Sequence, residues 1–266
     1  MLGAIIGDIV GSIYEWNNIK TKDFPLFSPG CFFTDDTVMT LAIAEGLMNG
    51  SSADAFIQAM KKYGHMYPNA GYGGRFANWL FSADVHPYNS WGNGAAMRVS
   101  PIAWAFGTLS EVEKYAEISA AVTHNHPEGI KGAQATAAAI FLARKGETKE
   151  DIKKYIEGKY GYNLNRSLEE IRPNYRFYVS CQETVPEAIV AFLESLDFED
   201  AIRNAISLGG DSDTLAAITG SIAEAAYGIP EEIKERAWSF LDEDLLRVYR
   251  RFKIAHRLVL GNMGLS

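Results

Sequence analysis

The sequence has few cysteines and no long run of uncharged apolar residues. Only two of its 266 residues are cysteine, Cys31 and Cys181. Two widely separated thiols do not make a disulfide framework, and we interpret both as buried side chains. No run of about 18 uncharged apolar residues is present, so no membrane-spanning helix is predicted. A basic leader with a small-residue cleavage site is also absent, and we therefore expect a soluble, cytoplasmic protein.

Basic residues are scarce relative to acidic ones. The sequence has 25 lysines and arginines against 33 aspartates and glutamates, giving a net charge of −8 and a pI near 5.2. This balance excludes non-specific nucleic-acid binding, which needs a basic surface. The one dense basic run, residues 247–253, is interpreted as the exposed face of a C-terminal helix. Because 47% of the residues are apolar, the chain can still form a substantial core.

The period-2 alternation typical of β-strands is missing as well, and apolar residues follow helical spacing instead. We predict helices at about residues 3–16, 35–48, 52–63, 75–81, 95–106, 110–122, 126–144, 148–160, 186–195, 197–207, 213–227 and 230–260, the last of them open to a break. The polar segment 162–181 is predicted to be a long loop or lid, with a short extended part near 176–179. The sequence therefore predicts an all-α fold, organised as one domain over residues 1–266.

The first predicted helix carries Gly3, Gly7 and Gly11 on one face. Each glycine costs a helix roughly 1 kcal/mol relative to alanine. That cost is expected where another backbone or a ligand approaches closely, and we favour close helix packing. Asp8, on the same helix, is interpreted as a cap or as an internal tie between helices.

Two short acidic clusters carry most of the functional information. They are residues 33–37, Phe-Thr-Asp-Asp-Thr, and residues 209–214, Gly-Gly-Asp-Ser-Asp-Thr, each just ahead of a predicted helix. Aspartate and threonine are common helix caps, which is the alternative interpretation of either cluster alone. Adjacent Asp35 and Asp36 diverge by about 100° on a helix, however, and cannot both cap it. Carboxylate and hydroxyl oxygens are hard ligands, so the two clusters together predict a site for two divalent cations such as Mg²⁺ or Mn²⁺.

Four motifs together resemble the ADP-ribosylglycohydrolase family, which includes the dinitrogenase-reductase-activating glycohydrolases and the mammalian ADP-ribosyl hydrolases. They are residues 3–15 (GAIIGDIVGSIYE), 33–37 (FTDDT), 92–98 (GNGAAMR) and 209–214 (GGDSDT). They occur in the family's order and span most of the chain. The resemblance implies an all-α orthogonal helical bundle with two Mg²⁺ or Mn²⁺ ions in a cleft.

The resemblance also implies the metal ligands. Thr34, Asp35, Asp36 and Asp213 match the ligands of one ion, and Asp211, Asp213 and Thr214 match those of the other. Catalytic roles are expected for Glu15, Asp35 and Asp36. On sequence alone Glu15 reads equally as an exposed helical glutamate.

Substrate contacts are expected at two glycine-rich turns and one histidine. The turn Gly92-Asn93-Gly94 precedes a helix, so its backbone N–H groups are expected to face the substrate's phosphate or ribose, although such a turn is also common without a ligand. Tyr72 is expected to stack on adenine and Gly73 to contact phosphate or ribose, and the resemblance implies a substrate contact for His124, whose region borders the cleft in the family. The alternatives are core packing for the aromatic ring and a helix-initiating role for the histidine.

The chain departs from the family at one informative place. In the nitrogenase-regulating and arginine-directed members, a loop matching residues 69–75 carries an aspartate assigned as general base. Here that loop is Asn-Ala-Gly-Tyr-Gly-Gly-Arg and has no carboxylate. Glu15 or a metal-bound hydroxide would then have to take that role. The spacing between Glu15 and Thr34 is also shorter than in many members.

The sequence therefore predicts a metal-dependent hydrolase of the N- or O-glycosidic bond between ADP-ribose and an acceptor. The partner would be an ADP-ribosylated protein or small molecule, and a nucleic acid only as a modified substrate. Alternatives are a metal-dependent phosphohydrolase or nucleotidase, and a non-catalytic ADP-ribose-binding protein, since the family includes lens crystallins. An all-α prenyl-transferring enzyme fits less well, because no third aspartate follows the first pair. The acceptor, the choice between Mg²⁺ and Mn²⁺, and the oligomeric state stay open.

Overall fold

The computed structural model describes residues 1–256, and within them the fold is all-α, as predicted. The helices are α1 (Leu2–Gly11), α2 (Asp35–Met48), α3 (Ala53–Met66), α4 (Gly74–Phe81), α5 (Gly94–Met97), α6 (Ser100–Ala105), α7 (Leu109–Ala121), α8 (Pro127–Arg144), α9 (Lys149–Tyr160), α10 (Leu168–Ile171), α11 (Cys181–Leu193), α12 (Phe198–Ile206), α13 (Ser212–Tyr227), α14 (Glu231–Trp238) and α15 (Glu243–Ala255). Extended pairing over this range is limited to one antiparallel bridge between Gly92 and Ser180. None of the described helices is long and apolar enough to cross a membrane.

Short polar side chains begin many of the helices. Each accepts a hydrogen bond from a backbone N–H in the first turn, which would otherwise have no partner. Residues with this role are Thr34, Ser52, Thr108, Thr148, Ser167, Asp197 and Asp242. Thr34 caps α2, and the helix runs from Asp35 to Met48 as expected.

Three predicted helices have different bounds in the structure. The first ends at Gly11 rather than near residue 16, because a turn follows in which Tyr14 N–H donates to the Gly11 carbonyl at 2.8 Å. The helix predicted at 95–106 is two short helices, since Pro101 lies in the first turn of α6 and has no N–H to continue α5. The helix predicted to begin at Pro186 begins at Cys181 and contains the proline.

The C-terminal prediction is confirmed as two helices, α14 and α15, with a break between them. Its last predicted residues, 257–260, lie outside the described part of the chain. The predicted loop 162–181 contains one short helix, α10, that the sequence analysis did not anticipate.

The glycine face of α1 packs directly on α13, which agrees with the packing interpretation. A Cβ atom added at Gly7 would lie 2.0 Å from the Ala216 carbonyl oxygen, and one at Gly11 would lie 2.5 Å from the Asp213 Cα. Neither distance is possible for a side chain, so only glycine allows this approach. The contact brings the start of α13 against the end of α1, and α1 also packs on α2. The two acidic clusters, far apart in sequence, therefore lie at neighbouring helix starts.

Candidate metal centre and cleft

A cleft of about 690 Å³ opens above the first turns of α2 and α13. Every residue that the sequence analysis assigned to a site lines it. The carboxylates on its wall are Glu15, Asp35, Asp36, Asp211 and Asp213; the others are Thr34, Tyr72, Gly73, Gly92, Asn93, Gly94, His124 and Thr214. The fold thus brings all of these residues into one cleft. Lining the cleft does not by itself assign any of them a role in catalysis or binding.

Asp8 ties the first cluster to α1. One carboxylate oxygen accepts from the Thr34 hydroxyl at 2.6 Å, and the other accepts from the backbone N–H groups of Thr34 at 2.9 Å and Thr37 at 3.0 Å. Burial raises the pKa of Asp8 to about 6, and these hydrogen bonds act in the opposite direction. The internal-tie interpretation is confirmed. Because three donors already use its oxygens, Asp8 fixes the start of α2 rather than facing the open cleft.

The second cluster is held by asparagine side chains. Asn93 Nδ2 donates to Asp211 Oδ2 at 2.7 Å and to the Thr184 hydroxyl at 3.2 Å. Asn18 Oδ1 accepts from the Gly210 N–H at 2.8 Å. Gly210 has φ +73°, and an added Cβ would lie 2.5 Å from the Arg176 carbonyl oxygen, so glycine is required there. Asn18 was not identified from the sequence, because an Asn-Asn pair in a polar turn gives no signal of its own.

Asp213 joins the two clusters. Carboxylate oxygens of Asp8, Asp36 and Asp213 lie within 4.8 Å of one another, and so do those of Glu15, Asp211 and Asp213. Both groups are made of oxygen donors, which suits Mg²⁺ or Mn²⁺.

Threonine hydroxyls and backbone N–H groups support this arrangement. The Thr214 hydroxyl donates to Asp36 Oδ2 at 3.3 Å, and the Thr214 N–H donates to Asp213 Oδ1 at 3.0 Å. The predicted divergence of the adjacent aspartates is also present. Asp36 joins the group around Asp213, whereas Asp35 Oδ1 lies 3.6 Å from where a Cβ of Gly71 would be.

The carboxylates have no cationic partner among residues 1–256. None of them forms a salt bridge to lysine, arginine or histidine there, and the buried Oδ1 of Asp36 accepts no hydrogen bond. Burial and the charges of Asp8 and Asp211 raise the pKa of Asp35 to about 8. Burial and neighbouring carboxylates also raise the pKa values of Asp36 and Asp213 well above the usual range. So much unpaired buried acid fits bound divalent cations.

Glu15 lies beyond the end of α1, so its predicted place within the helix is wrong. The turn after Gly11 carries it over the second cluster, where its carboxylate joins Asp211 and Asp213. Burial, and then the charge of Asp211, raise the pKa of Glu15 to about 7. The next residue, Trp16, is exposed on the rim of the cleft.

The turn at Gly92-Asn93-Gly94 differs from its expected arrangement. The Gly92 N–H donates to the Ser90 hydroxyl at 3.1 Å, and the Asn93 N–H donates to the Val179 carbonyl at 2.8 Å. These two N–H groups are therefore occupied within the protein, and the expectation that they face an anion is wrong. The following helix, α5, has only four residues. The Asn93 side chain acts on Asp211 instead.

The glycine-rich loop after α3 places Tyr72 and Gly73 on the wall of the cleft near Asp35. The Tyr72 hydroxyl is buried and has no hydrogen-bond partner within the described residues. Burial, with a smaller contribution from the Asp35 charge, raises the Tyr72 pKa. Gly73 is the N-terminal cap residue of α4. A phenol in this setting is a donor that lacks an acceptor.

His124 is buried beside the 92–94 turn. Its Nδ1 lies 2.8 Å from the Thr123 hydroxyl, which accepts from Arg98 Nη2 at 2.8 Å. Burial and the charge of Arg98 lower the pKa of His124 well below its usual value, so its ring is neutral. His126, two residues later, is the N-terminal cap of α8 and accepts from the Glu128 N–H at 3.1 Å.

Comparisons with known proteins give a consistent result. A family model described as ADP-ribosylglycohydrolase matches residues 1–261. The chain is 28% identical to ADP-ribosylhydrolase ARH3 of Mus musculus over 331 aligned positions, covering 92% of this chain and 88% of the relative. It is 27% identical to ADP-ribosylarginine hydrolase Tri1 of Pseudomonas putida (strain GB-1), covering 90% and 73%. A solved structure titled "ADP-ribosylglycohydrolase-related protein complex" superposes with a TM-score of 0.69 at 24% identity, covering 94% and 95%, which supports the fold.

Proposed function

The chain belongs to the ADP-ribosylglycohydrolase family, and we propose that it hydrolyses the bond between the anomeric carbon of ADP-ribose and an acceptor in a metal-dependent reaction. The metal dependence of this reaction is inferred from the proximity of the two acidic clusters, which come together at Asp213. Carboxylates from both clusters come within 4.8 Å there, and none of them forms a salt bridge to a cationic side chain among residues 1–256. The choice of bond is supported by the names of two relatives, ADP-ribosylhydrolase and ADP-ribosylarginine hydrolase.

The metal ligands are proposed from the donor atoms on the cleft floor and from the resemblance. One ion would be held by Thr34, Asp35, Asp36 and Asp213, and the other by Asp211, Asp213 and Thr214. Two such cations, if bound, would neutralise these carboxylates and would supply Lewis-acid polarisation of ribose hydroxyls and of a water molecule. The unpartnered Oδ1 of Asp36 supports this assignment, because a buried carboxylate oxygen is rarely left without any partner.

The protein side chains then position and assist the reaction. Glu15 stands above Asp211 and Asp213, where it can accept a proton from the attacking water or return one to the departing group. No carboxylate is present in the 69–75 loop to take that part. When ionised, the Glu15 carboxylate, which is not one of the proposed metal ligands, favours positive charge on the ribose ring as the glycosidic bond breaks. Asn93 contributes by holding Asp211 in place.

Substrate contacts are proposed on the two walls of the cleft. The Tyr72 hydroxyl, which has no partner, can donate to a ribose or phosphate oxygen. Nothing lies within 4 Å of an added Cβ at Gly73, so the substrate can approach the chain closely there, and the lining residues Gly92 and Gly94 are proposed contacts as well. The neutral His124 ring offers one nitrogen toward the 92–94 turn, since an added Cβ at Gly94 would lie 3.4 Å from its Nε2.

The proposal is tested by measuring ADP-ribose release from arginine-linked, serine-linked and nucleobase-linked substrates. Each is assayed with Mg²⁺, with Mn²⁺ and with EDTA. We expect release that depends on either metal and is abolished by EDTA, by Asp36→Asn and by Asp213→Asn. The exposed Asp23→Asn variant serves as the matched control and should retain wild-type activity.

Three outcomes would contradict the proposal. Activity that survives EDTA would remove the metals from the mechanism. Release of inorganic phosphate in place of ADP-ribose would favour a phosphohydrolase. Full activity in Glu15→Gln would leave Glu15 without a part in proton transfer.

A further inference from the structure

Two aromatic side chains stand on the rim of the cleft beside Glu15. Trp16 is 76% exposed and Phe177 is 39% exposed. Their rings stack with centroids 5.0 Å apart and an angle of 20° between the planes. Phe32 and Val179, 54% and 58% exposed, line the same cleft. Exposed apolar area gathered at a cleft is typical of a binding surface. We call the stacked pair the Trp16–Phe177 platform.

One half of the platform is fixed by the turn that follows α1. Asn18, two residues after Trp16, exchanges two hydrogen bonds with the backbone of Gly210. Its Nδ2 donates to the Gly210 carbonyl at 3.0 Å, and its Oδ1 accepts from the Gly210 N–H at 2.8 Å. The Trp16 turn is therefore attached to the loop that carries the second acidic cluster.

The other half is fixed by a lysine. Lys20 Nζ donates to the carbonyl of Tyr175 at 2.9 Å and to the carbonyl of Leu208. This joins the segment that carries Phe177 to the same loop. The two rings are thus positioned before any ligand binds, which lowers the entropic cost of stacking a further ring on them.

The platform lies where the acceptor must leave. Glu15, Asp211 and Asp213 share one group of carboxylates, so the bond to be cleaved lies beneath residue 16 if the proposed function is right. Phe177 covers one face of Trp16, and the high exposure of Trp16 leaves the opposite face open. A flat acceptor attached to the ribose could extend the two-ring stack by a third ring.

We propose that the Trp16–Phe177 platform binds the acceptor and that this acceptor is a nucleobase within a single-stranded nucleic acid. The inference rests on the proposed function and names its substrate class. Stacking of bases on exposed aromatic rings next to basic residues is the general mode of single-strand binding. An aliphatic acceptor such as a serine side chain has no flat face to place on the tryptophan.

Charge separates a base from the other flat acceptor, an arginine guanidinium, which also stacks on tryptophan. Arg176 lies directly before Phe177, is exposed, and forms no salt bridge with any residue from 1 to 256, whereas Arg172 Nε donates to the Ser207 hydroxyl at 3.0 Å. Burial, and then the charges of Arg176 and Arg172, lower the pKa of Lys20. Because Lys20 Nζ also donates to the Tyr175 carbonyl, Lys20 and Arg176 lie on the Phe177 side of the platform, where their charges attract phosphates and repel a cationic guanidinium.

The overall charge of −8 is compatible with this assignment. Unmodified nucleic acid should bind weakly, because the rest of the surface repels it. The ADP-ribose group would bring the strand to the cleft, and the platform would select the base that carries it.

The test compares three substrates in the presence of Mg²⁺: a short single-stranded DNA with ADP-ribose on one base, an arginine-linked peptide and a serine-linked peptide. Trp16→Leu should lower kcat/KM for the DNA by roughly five- to one-hundred-fold, the range of losses for a removed stacking side chain. Trp16→Tyr should restore most of it. Both peptides should change less than two-fold, and the affinity for free ADP-ribose should stay the same. Leu196→Ala, exposed on another surface, is the control.

The Arg176→Gln variant tests separately whether the protein contacts the phosphates of the DNA backbone. It should weaken turnover of the modified DNA but not of the modified nucleoside alone. Equal losses on all three substrates, a loss of affinity for free ADP-ribose, or a dependence on Trp16 confined to the arginine peptide would each overturn the inference.

Failure of the proposed function would look different, because wild-type protein would then cleave none of the substrates. Binding of the intact modified DNA, measured by calorimetry in EDTA, decides the inference in that case. A preference for the DNA that Trp16→Leu removes supports the platform, and equal affinity for all three substrates overturns it.

Discussion

Asp8 and Thr34 are joined across α1 and α2 by two hydrogen bonds, of 2.6 Å from the Thr34 hydroxyl and 2.9 Å from its N–H. An asparagine at position 8 would offer one acceptor oxygen where the carboxylate offers two. We therefore expect Asp8→Asn to leave a buried donor unpaired and to loosen the start of α2. Affinity for Mn²⁺, measured by calorimetry, should fall roughly ten- to one-hundred-fold, as for other residues that orient ligands. An unchanged affinity would make the tie irrelevant to metal binding.

Removing a proposed ligand should have opposite effects on stability with and without metal. In EDTA, Asp36→Asn and Asp213→Asn should unfold at higher urea concentration than wild type, because each removes one of several crowded buried carboxylates. With saturating Mg²⁺ the order should reverse. A ligand at one hundred times its Kd stabilises the native state by about 2.7 kcal/mol, which the variants cannot gain. Asp23→Asn, an exposed aspartate, should follow wild type in both conditions.

The stability of the metal-free protein should fall as the pH rises. The pKa of Asp35 is raised to about 8 in the folded protein, and those of Asp36 and Asp213 are raised too, whereas an unfolded aspartate titrates near 3.8. Between these limits the folded state binds more protons than the unfolded state, so the free energy of unfolding decreases with pH. Urea unfolding in EDTA from pH 5.5 to pH 8 measures this slope. Mg²⁺ should flatten it, since cations replace the protons.

Gly11→Ala should damage the proposed metal centre without altering any proposed ligand. The added Cβ would lie 2.5 Å from the Asp213 Cα, so α13 must shift and carry Asp213 with it. Overpacking of this kind typically costs about 1–3 kcal/mol. We expect a lower unfolding free energy and weaker Mn²⁺ binding. Gly158→Ala is the matched control, because nothing lies within 4 Å of its added Cβ, and it should stabilise α9 by up to about 1 kcal/mol.

Tyr72→Phe tests whether the unpartnered hydroxyl serves the substrate. The hydroxyl makes no hydrogen bond within residues 1–256, so the variant should be as stable as wild type or slightly more stable. If the hydroxyl donates to ADP-ribose, the Kd for free ADP-ribose should rise roughly ten-fold. The combination of unchanged melting temperature and weaker ADP-ribose binding is the expected signature. Unchanged binding would show that Tyr72 lines the cleft without donating a hydrogen bond to ADP-ribose.

Local sequence signals were sufficient for most helix positions. Thr34 predicts the start of α2 correctly because a threonine cap acts within one turn. The sequence also places the two clusters at helix starts and identifies oxygen ligands from residue type. The close packing of α1 could be anticipated from its glycine spacing, since few other causes explain three glycines on one face.

Features that depend on distant contacts were not predictable in this way. Glu15 was expected inside α1, but α1 ends at Gly11 in a turn whose path is fixed by Asn18 and Gly210, far apart in sequence. The N–H groups of Gly92 and Asn93 looked available in the sequence and are bonded to Ser90 and Val179 in the structure. In both cases the deciding partner cannot be found from the local sequence.

The contact between α1 and α13 also limits how a site of this kind can diverge. The backbones of the two helices are in direct contact there. A change in their separation therefore cannot be accommodated by a side chain adopting another rotamer. The 69–75 loop is different, because added Cβ atoms at Gly73 and Gly74 meet nothing within 4 Å, so its side chains can change without such a clash. The separation between the clusters has no such freedom. Descendants of this chain can therefore vary the loop at the cleft while inheriting an unchanged distance between the two acidic clusters.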